Sequence, residues 1–173
     1  MITHKRRRYL TYLLEVGFFV MVFVAVSAYQ SRNLLGTDRV LAPGLSAITL
    51  DGNQYDLSAH AGKPAVIYFF APWCRFCSAS ADNIVRLRKL RDETSLAIVT
   101  VALDWKNPDE VREYASRHDL DVPVLLGATS IAEAWHVYAF PTYYVLDSEH
   151  RLVARDIGYS TQLGLWWRSW FAD

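Results

Sequence analysis

The sequence predicts an α/β domain, a sheet with helices on both faces and a β-hairpin added at its N-terminal side, preceded by a single transmembrane helix. Three observations predict this. Two continuous apolar runs, residues 65–70 and 96–103, flank a segment of helical spacing, the pattern of a strand–helix–strand unit whose strands run parallel. An Asp51-Gly52 pair stands between two short alternating segments, a hairpin signal. Residues 9–28 form an apolar stretch interrupted only by Thr11, Glu15 and Ser27.

That last stretch comes first in the chain. At about 1.5 Å per residue it spans a hydrocarbon core about 30 Å thick. Lys5, Arg6, Arg7 and Arg8 precede it, and basic flanks tend to stay cytoplasmic, which places the rest of the chain outside. Glu15 lies close enough to the basic end to snorkel or pair with an arginine. The uninterrupted part, residues 16–28, also has the length of a signal-peptide core, with Val26-Ser27-Ala28 as a small-residue site. Phe and Val persisting to the end of the run, and Tyr29-Gln30 as a poor mature start, favour an anchor that is kept. The expected division is 1–29 for the basic tip and anchor, 30–43 for a polar linker containing Gly36 and Pro43, and 44–173 for the folded domain. In a bacterium this describes a single-pass inner-membrane protein with its domain in the periplasm, where disulfide chemistry is available.

Within the domain, residues 47–50 and 54–57 form the two arms of the hairpin. A short turn follows and closes on Gly62-Lys63-Pro64. Residues 65–70 are apolar and partly β-branched, as suits a central strand buried on both faces. Pro72 stops it. The next helix runs from about Cys74 to Glu93, with Ala81, Ile84, Val85, Leu87 and Leu90 at helical spacing and Arg86, Arg88, Lys89 and Arg91 on the wet face. Residues 96–103 make the second buried strand. Asn107-Pro108-Asp109-Glu110 opens a helix ending near His118: an N-cap, a proline at the first helical position, and two acids that suit the dipole. Residues 123–126 are a short extended piece, and Thr129 or Ser130 caps a brief helix. Strands follow at 143–146 and 151–157, broken by Gly158, and Ser160 or Thr161 caps a final helix.

Composition narrows the function. The chain of 173 residues is 52% hydrophobic and 14% aromatic, which supports a substantial core. From Arg32 onward 14 basic residues stand against 17 acidic ones, with no basic patch to mark a nucleic-acid partner. Two cysteines are too few for a disulfide scaffold. Set as Cys74-Arg75-Phe76-Cys77, they read as a redox or metal element. A metal would need further ligands, and His4, His60, His118, His136 and His150 form no spaced pair. No metal and no cofactor is expected.

The motif lies where a buried strand hands over to a helix. A cysteine in the first helical turn meets unpaired N–H groups and the positive dipole end, which favour the thiolate, the nucleophilic form. Cys74 is therefore the expected attacking thiol. Cys77, one turn deeper, is the resolving thiol that displaces a substrate from the mixed disulfide. Trp73 shields one side and offers apolar contact, and Phe76 is grouped with it. Arg75 adds positive charge beside Cys74, so the pair is expected to be more oxidising than a Cys-Gly-Pro-Cys pair.

Residues 69–77, Phe-Phe-Ala-Pro-Trp-Cys-Arg-Phe-Cys, resemble the active-site stretch of thioredoxin-fold proteins. Phe140-Pro141-Thr142 ahead of a strand is similar to their cis-proline loop. The anchor, the Asp56-Leu57-Ser58 to Gly62-Lys63-Pro64 approach and the helix after the second buried strand resemble the membrane-anchored TlpA/ResA-like group, and within it the suppressor-of-copper-sensitivity D type of disulfide oxidoreductase. The resemblance covers residues 43–173. It implies a thioredoxin-like mixed sheet, Cys74 as nucleophile and Cys77 as resolving thiol. It also implies a cis peptide bond between Phe140 and Pro141 facing Cys74, with the Phe140 backbone left to pair with substrate. Implied partners are exported cysteine-containing proteins and a membrane thiol–disulfide electron donor or acceptor. Two positions depart from the pattern. The strand position where thioredoxins carry a buried aspartate is Tyr68, and the glutamate of many cytochrome-c-maturation reductases is replaced by Ser80.

Two rival functions remain. A copper-binding or chaperone module would use Cys74 and Cys77 as soft ligands. A thiol peroxidase is disfavoured by a resolving cysteine only three residues on. Leu163, Trp166, Trp167, Trp170 and Phe171 recur as one helical face, expected to pack on the sheet, with partial exposure at the membrane interface or in a partner's groove as the alternative.

Overall fold

The computed structural model describes residues 2–31, 34–170 and 172. It divides into two units, Met1–Asn33 and Leu34–Asp173. The first holds one continuous helix, α1 (Ile2–Ser31), through the whole of the expected anchor. Leu13, Phe19 and Met21 on it are exposed. Among the described residues no helix is long and apolar enough to cross a membrane. The side chains of Leu10, Phe23 and Ala28 in the expected span, and of Lys5, Arg6, Arg7 and Arg8, lie outside those residues.

The second unit is a thioredoxin-like α/β domain. It begins with the expected hairpin, β1 (Ser46–Ile48) and β2 (Gln54–Asp56). Gly52 takes φ 82° in its turn, a left-handed value that favours glycine. Next come β3 (Ala65–Phe70), α2 (Arg75–Leu90), β4 (Ala97–Ala102) and α3 (Pro108–Arg117). The chain closes with β5 (Val124–Leu126), α4 (Thr129–Ala134), β6 (Thr142–Leu146), β7 (Leu152–Ile157) and α5 (Gln162–Trp170). Strands β5, β4, β3, β6 and β7 form one mixed sheet in that order. As the strand–helix–strand pattern requires, β3 runs parallel to β4, and β6 returns antiparallel to β3.

Side chains of a strand alternate between faces, and β3 sorts the core in two. Val66, Tyr68 and Phe70 point to the face covered by α2, α3 and α5. Ala65, Ile67 and Phe69 point to the other, where Leu34, Leu45, Tyr55, Leu57 and Trp135 cover them. All six residues are fully buried.

Four expectations are corrected. The linker of 30–43 is docked from Leu34 onward: Leu34 is buried in the second core, and Arg155 Nη1 donates to its carbonyl at 2.7 Å. Ala42 N donates to the His150 carbonyl and Leu152 N to that of Val40, both at 2.9 Å. Burial of Leu34, with Leu35 packed beside it, drives this docking. Second, α2 stops at Leu90, because Arg91 turns extended (φ −131°, ψ 116°) and its guanidinium reaches the carbonyls of Ser95 and Ser169. Third, the N-cap of α4 is Ala128, with no side-chain cap. Fourth, the fully buried residues of α5 are Leu165 and Ser169, with Trp166 partly buried against the core and Ala172 buried just beyond the helix. Small Ser169 lets the helix lie against α2, while Leu163, Trp167 and Trp170 are exposed. Phe171 lies outside the described residues.

Candidate active site

The turn from β3 into α2 positions both cysteines. Pro72 ends the strand, and Cys74 N donates to the Ala71 carbonyl at 3.0 Å. Cys74 then serves as the N-cap of α2, with extended φ −79° and ψ 114°. Its sulfur takes the acceptor role that a serine or aspartate oxygen usually fills at a helix start: Cys77 N donates to Cys74 Sγ at 3.2 Å. Both thiols are free. Cys74 is 6% exposed and Cys77 is fully buried beneath it. The spacing thus leaves one sulfur nearly buried at the edge of the fold and sets one fully buried a helical turn inside.

Around Cys74 runs an open groove of about 600 Å³, lined by Trp73, Cys74, Arg75, Phe76, Asp104, Tyr138, Ala139 and Phe140. Trp73 and Phe76 are more than half exposed. Trp73 is nonetheless held in place, since its indole N–H donates to the Asp104 carbonyl at 3.0 Å and its ring meets Phe140 edge-on with centroids 6.1 Å apart. Arg75 is exposed at the rim. The Phe140–Pro141 peptide bond is cis, and Phe140 lies across the groove from the cysteine turn. The structure therefore gathers every residue singled out in the sequence, Trp73, Cys74, Arg75, Phe76, Cys77, Phe140 and Pro141, around one concave surface or just behind it.

Behind Cys77 lies a layer that the sequence did not announce. Tyr68 donates its hydroxyl to the Cys77 carbonyl at 2.9 Å, and that hydroxyl lies 3.4 Å from the hydroxyl of Tyr114. Tyr143, opposite Tyr68 in the β3–β6 register, stacks on it at 5.0 Å. Ser80 is fully buried as well. The hydroxyls of Ser80 and Tyr143 make no hydrogen bond that meets strict geometry, although Ser80 is near enough to offset part of the rise in the Tyr143 pKa. Burial raises the Cys77 thiol far above its ordinary value, helped by its bond to Cys74; Ala71 and the Tyr68 hydroxyl pull it back down. Burial likewise pushes Tyr68, Tyr114 and Tyr143 up. Asp82, the nearest acid in sequence, turns the other way, toward His118 at 3.9 Å. The one available sequence signal was parity: Tyr68 and Phe70 share a face, and the cysteine turn folds over it.

Among the described residues no group of three or more His, Cys, Asp or Glu side chains is arranged to hold a metal ion. What remains is a nearly buried sulfur that accepts a backbone N–H, a fully buried partner thiol, and an apolar groove for an extended chain. That arrangement forms and breaks a disulfide with little movement of the fold.

Comparison with known proteins agrees. A family model described as Redoxin matches residues 36–163, more than half of the chain. The chain is 31% identical over 109 residues to the thioredoxin-like protein YneN of Bacillus subtilis, covering 62% of this chain and 64% of that relative's length. Among solved structures, MTB DsbF in its mixed oxidised and reduced forms superposes with TM-score 0.67 and 26% identity, covering 75% of this chain and 95% of the other. A thiol:disulfide interchange protein of the thioredoxin family from Chlorobium tepidum gives TM-score 0.72 at 20% identity, over 80% and 99% of the two chains. At that identity the likeness bears on fold alone.

Proposed function

The chain belongs to the redoxin family, and from that premise we propose that it catalyses thiol–disulfide exchange on proteins through Cys74 and Cys77. The observation that carries this reading is the pair of unequal thiols at the start of α2, one at the groove and accepting a backbone N–H, the other buried behind it. In the reducing direction, Cys74 as thiolate attacks a substrate disulfide. One substrate sulfur leaves, and a Cys74–substrate disulfide forms. Cys77 then attacks Cys74 Sγ, the bond between Cys74 and the substrate breaks, and the substrate leaves with its second thiol. Two electrons and two protons pass to the substrate, and the enzyme holds a Cys74–Cys77 disulfide. The reverse sequence oxidises a dithiol substrate. Trp73, Phe76 and Phe140 supply apolar contact for an extended substrate, and the backbone before Pro141 is its strand partner.

The enzyme is of the TlpA/ResA-like, suppressor-of-copper-sensitivity D type. It is anchored through residues 9–28 in the inner membrane of a bacterium, with the domain in the periplasm. Its substrates are exported cysteine-containing proteins, and a membrane thiol–disulfide partner restores its redox state. The apolar run behind a Lys5-to-Arg8 cluster supports the anchor.

The test is trapping. The full chain carrying Cys77→Ala should accumulate mixed disulfides through Cys74 that reductant dissolves, and Cys74→Ala should accumulate none. Failure of Cys77→Ala to trap, together with no reduction of insulin by the parent chain, would remove exchange as the function. A chain that binds Cu(I) under those conditions would instead be a copper module.

A further inference from the structure

We infer that the Tyr68 hydroxyl, backed by Tyr114, is the positioning group for the resolving thiolate of Cys77. The inference rests on the exchange function proposed above and deepens it at one step.

Resolution requires a buried sulfur to carry negative charge. A buried thiolate without a donor is costly, and desolvation is the main cause holding this thiol protonated. No carboxylate serves the site among the described residues, since Asp82 faces His118. What does reach Cys77 is a phenol. Tyr68 is wholly buried on the central strand β3, with its hydroxyl 2.9 Å from the Cys77 carbonyl. The same hydroxyl pulls the Cys77 thiol pKa down, against the rise that burial causes. The hydroxyl carries a single proton, so it can donate to the carbonyl or to the sulfur. In the inferred step the O–H turns about the C–O bond, from the carbonyl toward the sulfur of the same residue. Tyr114, 3.4 Å away, donates to the Tyr68 oxygen in either state and strengthens its donor. Stacking on Phe70 and Tyr143, at 5.6 and 5.0 Å, holds the Tyr68 ring in place.

The chemistry balances without an outside reagent. In a mixed disulfide, Cys77 Sγ loses its proton, attacks Cys74 Sγ and forms the Cys74–Cys77 bond. The bond from Cys74 to the substrate sulfur breaks, and the departing sulfur receives the electron pair and ends with the proton. Tyr68 donates to Cys77 Sγ while the charge is there and returns to the carbonyl once the disulfide has formed. It is neither consumed nor ionised.

The groups facing Cys77 are Cys74 and Ser80 on its own helix, Tyr68 from β3, Tyr114 from α3 and Tyr143 from β6. Asp82 and Asp156 act more remotely, through Tyr114 and Tyr143. Within this set Tyr68 is the only hydroxyl bonded to the resolving residue.

The experiment uses the full chain in detergent, reduced and then mixed with 5,5′-dithiobis(2-nitrobenzoate). Attack by Cys74 releases one thionitrobenzoate, and resolution by Cys77 releases the second, so one absorbance trace separates the two steps. Tyr68→Phe keeps the ring and removes the hydroxyl. It should leave the first phase unchanged and slow the second by about tenfold or more, the loss expected for one hydrogen bond to a charged group. It should also displace the pH profile of the second phase upward. Tyr114→Phe should slow the same phase by a smaller factor, and it decides the matter if Tyr68→Phe does not fold. A second phase at the parent rate and pH profile in the folded variants would overturn the inference, as would equal slowing of both phases. A parent chain that never releases the second thionitrobenzoate counts instead against the exchange function itself.

Discussion

Cys77 holds its proton because it is buried, and that gives the reduced protein a signature in its pH dependence. An acid whose pKa is raised on folding binds its proton more tightly in the native state, so it stabilises the fold below the unfolded value and this contribution is lost as pH rises. For Cys77 the loss begins above about pH 8.5, and for Tyr68, Tyr114 and Tyr143 above about pH 10, the ordinary thiol and phenol values. Urea unfolding of the reduced chain between these two values should therefore show falling stability, with a shallower fall in Cys77→Ala. Identical slopes would show that the Cys77 proton is not held by the fold. At this scale the sequence spoke clearly about Cys74 and Cys77, because their spacing alone places one sulfur above the other on a helix. It was silent on Tyr68, which reads only as an absent aspartate. Its meaning depends on which helix turn lies over that face of β3 and on the tyrosines that β6 and α3 bring beside it.

Elements were legible where local chemistry decides them. Asn107 caps α3 by accepting from Glu110 N at 3.1 Å, with Pro108 at the first helical position. Thr161 caps the start of α5, accepting from Gly164 N at 3.2 Å. The apolar runs became β3 and β4 within a residue or two. Legibility failed where neighbours decide: the aromatic periodicity of α5 named one face, of which Trp166 packs on the core, while Leu165 and Ser169 are the helix's fully buried residues, because close approach to α2 needs a small residue more than an apolar one. Gly127, at the end of β5, belongs to this second kind. A Cβ there would lie 2.7 Å from both Leu103 Cδ2 and Val101 Cγ1 and 2.8 Å from the Ala102 carbonyl oxygen. Gly127→Ala should therefore cost about 1–3 kcal/mol by overpacking, read as a lower midpoint in chemical denaturation at unchanged m value. A neutral result would mean that β5 can move away from β4.

At the scale of the molecule, the boundary between the two units separates two kinds of removal. Deleting residues 2–33 should leave the thermal stability and thionitrobenzoate kinetics of the domain unchanged, and on the anchor proposed above it should also move the chain out of the membrane fraction. Deleting through Pro43 should lower its stability as well, since Leu34 leaves the second core and the guanidinium of Arg155 loses its carbonyl partner. Equal stability of the two truncated forms would make the docked segment dispensable. The sequence placed this boundary ten residues late, reading Gly36 and Pro43 as signs of a linker, although such residues also suit an irregular segment pressed along a sheet.

That segment and the hairpin share a consequence. The hairpin bonds along β5, with Leu50 N donating to the Val124 carbonyl at 2.9 Å, and residues 40–42 pair beside the start of β7. An exposed strand edge is a template on which another chain can grow, and an unfolded polypeptide is rich in segments ready to do so. With the β5 edge bonded by the hairpin and the start of β7 bonded by residues 40–42, this domain offers a partner chain less open strand edge on which to grow.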